Sequence, residues 1–325
     1  MPKVSLAEIE RLSAHALINH GAAPWVAAHV ADAIAKAESV GNKICGLYYL
    51  ESYCTQLKSG RVKGHAEPEV SRPRPGTVRV DAQFGFAQPA FAKGLPLAIS
   101  AAQENGVAML AVGHAHTCTS LGYFTEQIAR EGMIGMGMTN ASPIVAPPGG
   151  KRRVIGTNPF AFSVPDGAGG VAMQFDQSTT TVALGKITMA KAAGESIPEG
   201  WAVDAEGRPT TDPEAALAGS LVSTGGYKGW GLGLMVELLA AGMTGGVASQ
   251  DVKPLKAPEG PPHDLGQFYL IIDPGTSNDF GARLEQVARA VAQDEGARMP
   301  GQGKRKMDPV EIEETVWNQL NQLAG

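Results

Sequence analysis

The 325-residue chain carries 27 Lys and Arg against 32 Asp and Glu, a formal charge of -5, so it has no overall basic field to favour nucleic acid or an anionic membrane as partner. Its 43% hydrophobic and 18% charged residues exclude a disordered chain and allow two cores. Cys45, Cys54 and Cys118 lack CxxC spacing, which argues against a disulfide framework or structural zinc; with no signal-peptide pattern or long apolar run, the expected location is the cytoplasm.

In chain order, residues 5 to 38 place Leu6, Ile9, Leu12, Ala16, Val26, Val30 and Ile34 at spacings of three and four, broken by Gly21 and Pro24. The pattern predicts two helices joined by a turn, with Ser5 and Glu8 as a capping box. The stretch LYYLESYCTQLKSG, 47 to 60, predicts a third helix ended by its glycine. The proline-rich run from Pro68 to Gly76 reads as a linker. Beyond it the β-like runs TVRVDA, VAMLAVG, IGMGMTN and FAFSVP alternate with helical stretches at 89 to 105 and 121 to 131, which predicts an α/β core. Two helices close the chain at 280 to 294 and 309 to 323, the second with Asp308 as cap and Pro309 in its first turn. Helices at both ends predict that segment 1–75 packs with 281–325 as one helical unit beside a mixed core spanning 76–280.

Neither a GxGxxG turn nor a GxxxxGK[ST] loop is present, so a nucleotide would be held without those cradles. The HExxH, GxSxG and EF-hand patterns are absent too. The segment AVGHAHTCTSLGYF, 111 to 124, leaves a strand and enters a helix with hydroxyls at the junction. It suits a phosphate at the helix start, and equally a plain cap by Thr119 or Ser120. His114 and His116 share a face of a persisting strand, but no third ligand lies nearby and no metal is expected. Lys228 begins an apolar helix, where the helix dipole disfavours a cation; it reads as an anion ligand or as a solvated lysine. The basic run RMPGQGKRK, 298 to 306, reads as a phosphate clamp or a solvated loop. In FDQSTTTVALGKI, 175 to 187, Asp176 and Lys186 suit proton transfer or binding, and Asp176 equally suits plain acceptance of backbone N–H groups.

Seven stretches in this order, LKSGRV (57 to 62), VDAQFGFAQ (80 to 88), MTNASPIVAPPGGKRRVIGTNPFAFSVP (138 to 165), ALGKI (183 to 187), GGYKGWGL (225 to 232), GQFYLIIDP (266 to 274) and RMPG (298 to 301), resemble the malate/L-lactate dehydrogenase family. That family lacks a Rossmann fold and includes ureidoglycolate, sulfolactate and diketogulonate enzymes and cyclic-ketimine reductases. The resemblance implies a homodimer with a non-Rossmann mixed-sheet core, NADH or NADPH as cofactor, and hydride transfer at C2 of a small 2-oxo or 2-imino carboxylate. It implies cofactor contacts at Thr117, Cys118, Thr119, Ser120, Leu121, Phe175, Asp176, Gln177, Tyr227 and Lys228. Further contacts are implied along Arg298, Met299, Pro300, Gly301, Gln302, Gly303, Lys304 and Arg305, and a substrate contact at Thr157. Lys304 and Arg305 lean the cofactor toward NADPH, through its 2′-phosphate.

The departures bear on chemistry. Family members carry Ser-His-Gly after the first helices, with the His as proton donor and an Arg four residues on for the substrate carboxylate. Here the stretch reads GNKICGLYYL, so Ile44 and Cys45 replace Ser-His and Tyr49 replaces the Arg. The family's second histidine aligns to Thr117, one residue after His116. The proton donor is therefore sought first at His116, with an ordinary pKa of about 6.5, then at Cys45, at about 8.5, then at Lys186. Tyr49 lacks the bidentate fork that holds a carboxylate. A cyclic ketimine such as pyrroline-2-carboxylate or piperideine-2-carboxylate, protonated on arrival, is the alternative substrate, and a retired nucleotide-binding homologue is the third reading.

Overall fold

The computed structural model describes residues 1–303 and 306–325; the phosphate contacts expected at Lys304 and Arg305 lie outside them. The chain runs α1 (Leu6–Asn19), α2 (Pro24–Ser39), α3 (Leu50–Ser59), β1 (Glu69–Arg74), β2 (Thr77–Asp81), α4 (Ala87–Asn105), β3 (Val107–Ala115), α5 (Gly122–Arg130), β4 (Ile134–Thr139), β5 (Phe160–Pro165) and β6 (Val171–Gln177). It continues through α6 (Leu184–Ala193), α7 (Pro213–Ala218), α8 (Tyr227–Glu237), β7 (Leu265–Ile272), α9 (Phe280–Val291) and α10 (Glu314–Ala324).

The seven strands form one mixed sheet in the order β1-β2-β3-β7-β4-β5-β6. Only β2 and β3 run parallel; the other neighbours are antiparallel. This is the non-Rossmann mixed-sheet architecture the sequence led us to expect. The late strand β7 lies at the centre, with Leu270 between Met109 and Met136, and its near-continuous apolar run suits a strand covered on both faces. On one face Phe91 of α4 and Phe124 of α5 meet Leu110 and Tyr269. On the other, Val236 of α8 meets Met138 and Phe268.

A second cluster packs Ile9, Leu17, Val26, Ile34, Leu50 and Tyr53 against Val310, Ile312 and Leu320. Lys3–Val4 pairs antiparallel with Val310–Glu311 and joins the chain ends. The C-terminal share of this cluster comes from residues 310 to 324, whereas α9 has no buried residue.

Three local expectations are corrected. The run from Pro68 to Gly76 is not a linker: it forms β1 and the turn into β2, and Pro73 is tolerated because β1 is an edge strand with one unpaired side. Asp308 and Pro309 do not start the last helix. Residues 310 and 311 are held as strand, α10 begins after Glu313, and Asp308 Oδ1 instead accepts the Leu6 N–H at 3.1 Å, capping α1 from across the chain. Only half of the capping box at α1 forms. Ser5 Oγ accepts the Glu8 N–H at 3.3 Å, but the Glu8 carboxylate turns outward to Arg11, at 2.8 and 2.9 Å.

Candidate active-site cleft

Strand β6 gathers the site. Asp176, near its end, accepts the Gly122 N–H at 2.7 Å and the Ser120 hydroxyl at 3.3 Å through Oδ2, at the start of α5. Two residues earlier, Gln174 donates from Nε2 to the Gly122 carbonyl at 2.9 Å and from its backbone N–H to the Pro300 carbonyl at 3.0 Å. Three segments that the resemblance assigned to the cofactor, 117–121, 175–177 and 298–303, thus meet on one strand. Gly301 makes the approach possible: at φ +83° a Cβ there would lie 2.8 Å from the Gln174 carbonyl oxygen.

Between α2 and α5 this knot walls a cleft of ≈ 350 Å³ bounded by Lys36, Val40, Asn42, Ser120, Tyr123 and Asp176. A second lobe of ≈ 330 Å³ shares Lys36, Val40, Glu126 and Gln174 with the first and reaches Gly301–Gly303 and Lys306. Each lobe is within the range of small-molecule sites. The first lobe reaches Asn42; beside it a Cβ on Gly185 in the first turn of α6 would lie 3.4 Å from Ile44 Cδ1, and the Asp176 charge acts on Cys45. Lys186 stands exposed beside Gly185. Thr157 is tied in through its carbonyl, which accepts the Thr179 N–H at 2.9 Å, and Thr224 N–H donates in turn to Thr179 at 3.0 Å. Tyr227, 79% exposed, and Lys228 follow at the open start of α8. Phe175 packs against Phe160 and Phe162, and Gln177 lies exposed opposite Phe160 at the strand end.

Several side chains differ from expectation. Cys118, Leu121 and Met299 are buried, and Cys118 and Leu121 belong to the core under α4, so their side chains are turned to packing. The start of α5 does attract an anion, but the anion is Asp176 itself, whose carboxylate occupies the N–H and repels phosphate.

His116 is corrected as a group tuned near neutrality. It is 2% exposed, stacked at 3.9 Å on His263, with Tyr53 and Phe86 at its edges. Its Nε2 lies 2.6 Å from Gln56 Oε1, and the Gln56 amide nitrogen donates to the carbonyls of Leu255 and Ala257. That orientation makes His116 Nε2 the donor. Burial, then the charges of His263 and Arg61, hold its pKa well below the ordinary value. His114 turns elsewhere, pairing with Asp264 at 2.7 Å, and the described residues contain no group of three or more metal-capable side chains.

Burial pushes the Cys45 thiol up to about 12, the Asp176 charge adding and a hydrogen bond from Asn42 opposing. Tyr49 is likewise pushed up to about 12 by burial, then by Cys45 and Tyr48. Its ring stacks on Tyr53, and the Lys256 ammonium lies 3.2 Å from the centroid of Tyr48 and 4.9 Å from that of Tyr49. Sequence reasoning missed Gln56, Arg61, His263 and Lys256. Gln56, Arg61 and His263 find their partners across 60 to 201 residues, beyond any local pattern, and the Arg61 signal was only its place in LKSGRV.

Cys54 and Cys118 are also raised to about 12 by burial, so a native thiol titration at pH 8 is expected to find no fast-reacting cysteine, with on the order of 10⁻⁴ of each present as thiolate. Denaturant should release all three at once. One thiol reacting at the rate of free cysteine in the native protein would refute the burial of Cys45.

A mixed seven-stranded sheet flanked by helices, with a two-lobed cleft against a helical cluster, defines an α/β protein of non-Rossmann type with a cleft of small-molecule size. The model of the malate/L-lactate dehydrogenase family matches residues 4–321, and the chain belongs to that family and is an oxidoreductase. It is 40% identical over 327 residues to the (2R)-3-sulfolactate dehydrogenase (NADP(+)) of Chromohalobacter salexigens, covering 99% of this chain and 98% of that protein. It is 37% identical to a Δ1-pyrroline-2-carboxylate/Δ1-piperideine-2-carboxylate reductase of Pseudomonas putida, covering 99% and 95%. Among solved structures it is similar to the Δ1-piperideine-2-carboxylate reductase of Pseudomonas syringae, with TM-score 0.91 at 34% identity, covering 99% of this chain and all of that one. The sulfolactate dehydrogenase of Methanocaldococcus jannaschii also gives TM-score 0.91, at 30% identity, covering 99% and 96%.

Proposed function

We propose that the chain moves a hydride between NADP(H) and C2 of a small carboxylate, reducing a 2-oxo acid or oxidising the 2-hydroxy acid. What supports this reading is the knot on β6, where the three segments implied as cofactor contacts meet beside one cleft and the Asp176 charge acts on Cys45. The cofactor supplies the hydride. Asp176 accepts hydrogen bonds, so it suits ribose hydroxyls and not phosphate. Tyr227 and Lys228 meet the cofactor from the exposed start of α8.

Cys45 takes the role of proton donor. Its thiol stays protonated at neutral pH, holds a proton for the oxygen that develops at C2, and recovers it from solvent because Asp176 opposes the thiolate. Thr157 is assigned to the substrate, and Lys186 stays the third candidate for the proton donor. Lys256, held over Tyr48 and Tyr49, brings from another loop the positive charge that Tyr49 lacks. His116, neutral and buried, acts through Gln56 and His263 as a positioning residue.

The cyclic-ketimine reading has its own support. Neither His116 nor Cys45 titrates near neutrality, and a protonated imine brings its own proton. The test follows oxidation of reduced cofactor with pyruvate, oxaloacetate, sulfopyruvate and pyrroline-2-carboxylate. Turnover of an open-chain acid is expected, falling about 10²-fold in Cys45→Ala with cofactor affinity kept. In Lys256→Met, KM for the acid is expected to rise about tenfold. Turnover confined to the cyclic imine and indifferent to Cys45→Ala would install the second reading; bound cofactor that no substrate oxidises would overturn both. A cytoplasmic homodimer belongs to the same proposal. The uncovered α9 offers a surface for a second copy, and a monomer mass by light scattering at micromolar concentration would count against it.

A further inference from the structure

Glu126 on α5 faces three cations from separate parts of the chain: Lys36 of α2 at 2.5 Å, Arg130 at 2.8 Å and Lys306 at 3.9 Å. One carboxylate against three cations leaves two positive charges uncompensated. The crowding is direct, since the Lys306 ammonium is held against that of Lys36, a like-charge contact that lowers its pKa. Asp166, ionised and held by the Ala168 and Gly170 N–H groups at 2.7 and 2.8 Å, also acts on Arg130 and offsets part of this excess. Glu126 and Lys36 are mostly covered, whereas Arg130 and Lys306 keep about half their side-chain surface open toward the second lobe of the cleft. Beside them lie Gly301 and Gly303, both at positive φ, where backbone without side chains leaves room for a ligand.

We infer that Lys36, Arg130 and Lys306 form a binding site for a phosphomonoester dianion, the 2′-phosphate of NADP(H). The inference rests on the nucleotide reading above and adds to it the residues that select the cofactor. The positive excess suits a multiply charged anion, and three donor side chains match the three terminal oxygens of a phosphomonoester. The pyrophosphate bridge spreads its two charges over two phosphorus centres, one on each, whereas a terminal phosphomonoester concentrates both on a single group, and a carboxylate would fill only one place. The position agrees: Arg130 and Lys306 line the second lobe, whereas Asp176, which repels phosphate and whose charge acts on Cys45, lines the first. That is the order in which a dinucleotide presents nicotinamide, ribose hydroxyls and adenosine phosphate.

Calorimetric titration with adenosine 2′,5′-bisphosphate, adenosine 5′-phosphate and inorganic phosphate tests the site without turnover. The bisphosphate is expected to bind at least about tenfold tighter than the 5′-phosphate. Lys306→Ala and Arg130→Ala, at half-open positions that leave the fold intact, should each cut that preference about tenfold without changing affinity for the 5′-phosphate. Equal binding of the two nucleotides, or a preference unchanged in both variants, overturns the inference and leaves the proposed function standing. Inorganic phosphate bound at the cluster, with no preference for the bisphosphate, makes it a free-anion site and also overturns the assignment. If neither nucleotide binds, the nucleotide reading itself fails.

Discussion

Arg61→Met should lower the melting temperature by about 6 °C or more, well beyond what a surface substitution does. Arg61 is 1% exposed, and its guanidinium donates to three carbonyls of one loop: Pro261 at 3.0 Å, Pro254 at 3.0 Å and Ala257 at 2.6 Å. Gln56 also holds Ala257, so the variant orphans the Pro254 and Pro261 carbonyls. At about 1.5 kcal/mol each, the loss is about 3 kcal/mol, and a chain of this length gives about 2 °C per kcal/mol. The loop matters beyond stability because it leads to His263, whose Nδ1 accepts the Thr117 N–H at 3.3 Å where the 117–121 segment begins. Loosening it should therefore weaken cofactor binding as well. Arg61→Lys should fall between the two proteins, since a point ammonium cannot span three carbonyls. A calorimetric scan of Arg61→Met within about 1 °C of the parent would show that Gln56 and Ser59 alone hold the loop.

What the sequence made legible was what is local. The three-and-four spacing gave α1 and α2, and Gly60 at φ +76° ends α3 as a terminal glycine should. The short β-like runs became β2 to β5 because alternation and β-branching act over a few residues. The failures share a physical cause, which is pairing at a distance. Pro73 reads as loop until β2 pairs with its strand, and Asp308 reads as the cap of its own helix until it is found on α1, 302 residues away. In the site, the sequence found Asp176 and the start of α5 but not that one occupies the other. His116 read as a tunable acid because nothing local reveals Gln56 above it and His263 on its face. Glu126 and Arg130 form an ordinary helix pair in sequence, and Lys36, 90 residues earlier, turns that pair into a cation cluster.

The buried histidine pair sets the second large expected effect, a loss of stability on acidification that begins near pH 6.5. Burial, then the Arg61 charge, lowers His263 to about 3, and His116 is lowered well below its ordinary value. Both are neutral in the folded state and take up protons near pH 6.5 once unfolded. Stability is therefore full above that value and falls as pH drops through it, because the unfolded state binds more protons. Each histidine contributes about 1.4 kcal/mol per pH unit, so the pair gives a slope of about 2.7 kcal/mol per unit until His263 protonates in the fold near pH 3. Urea midpoints from pH 7 to 4.5 read this slope, and His263→Gln should halve it if the variant folds. Imidazole NMR on the unaltered protein gives the same answer without substitution, since both rings should stay neutral at pH 5. A native midpoint near pH 6.5 for either ring would refute its burial. The same argument reaches the reaction: with His116 neutral and the Cys45 thiol at about 12, kcat/KM should show no limb from an imidazole acid near pH 6.5. A limb there that vanishes in His116→Gln would return the proton to the histidine and take it from Cys45.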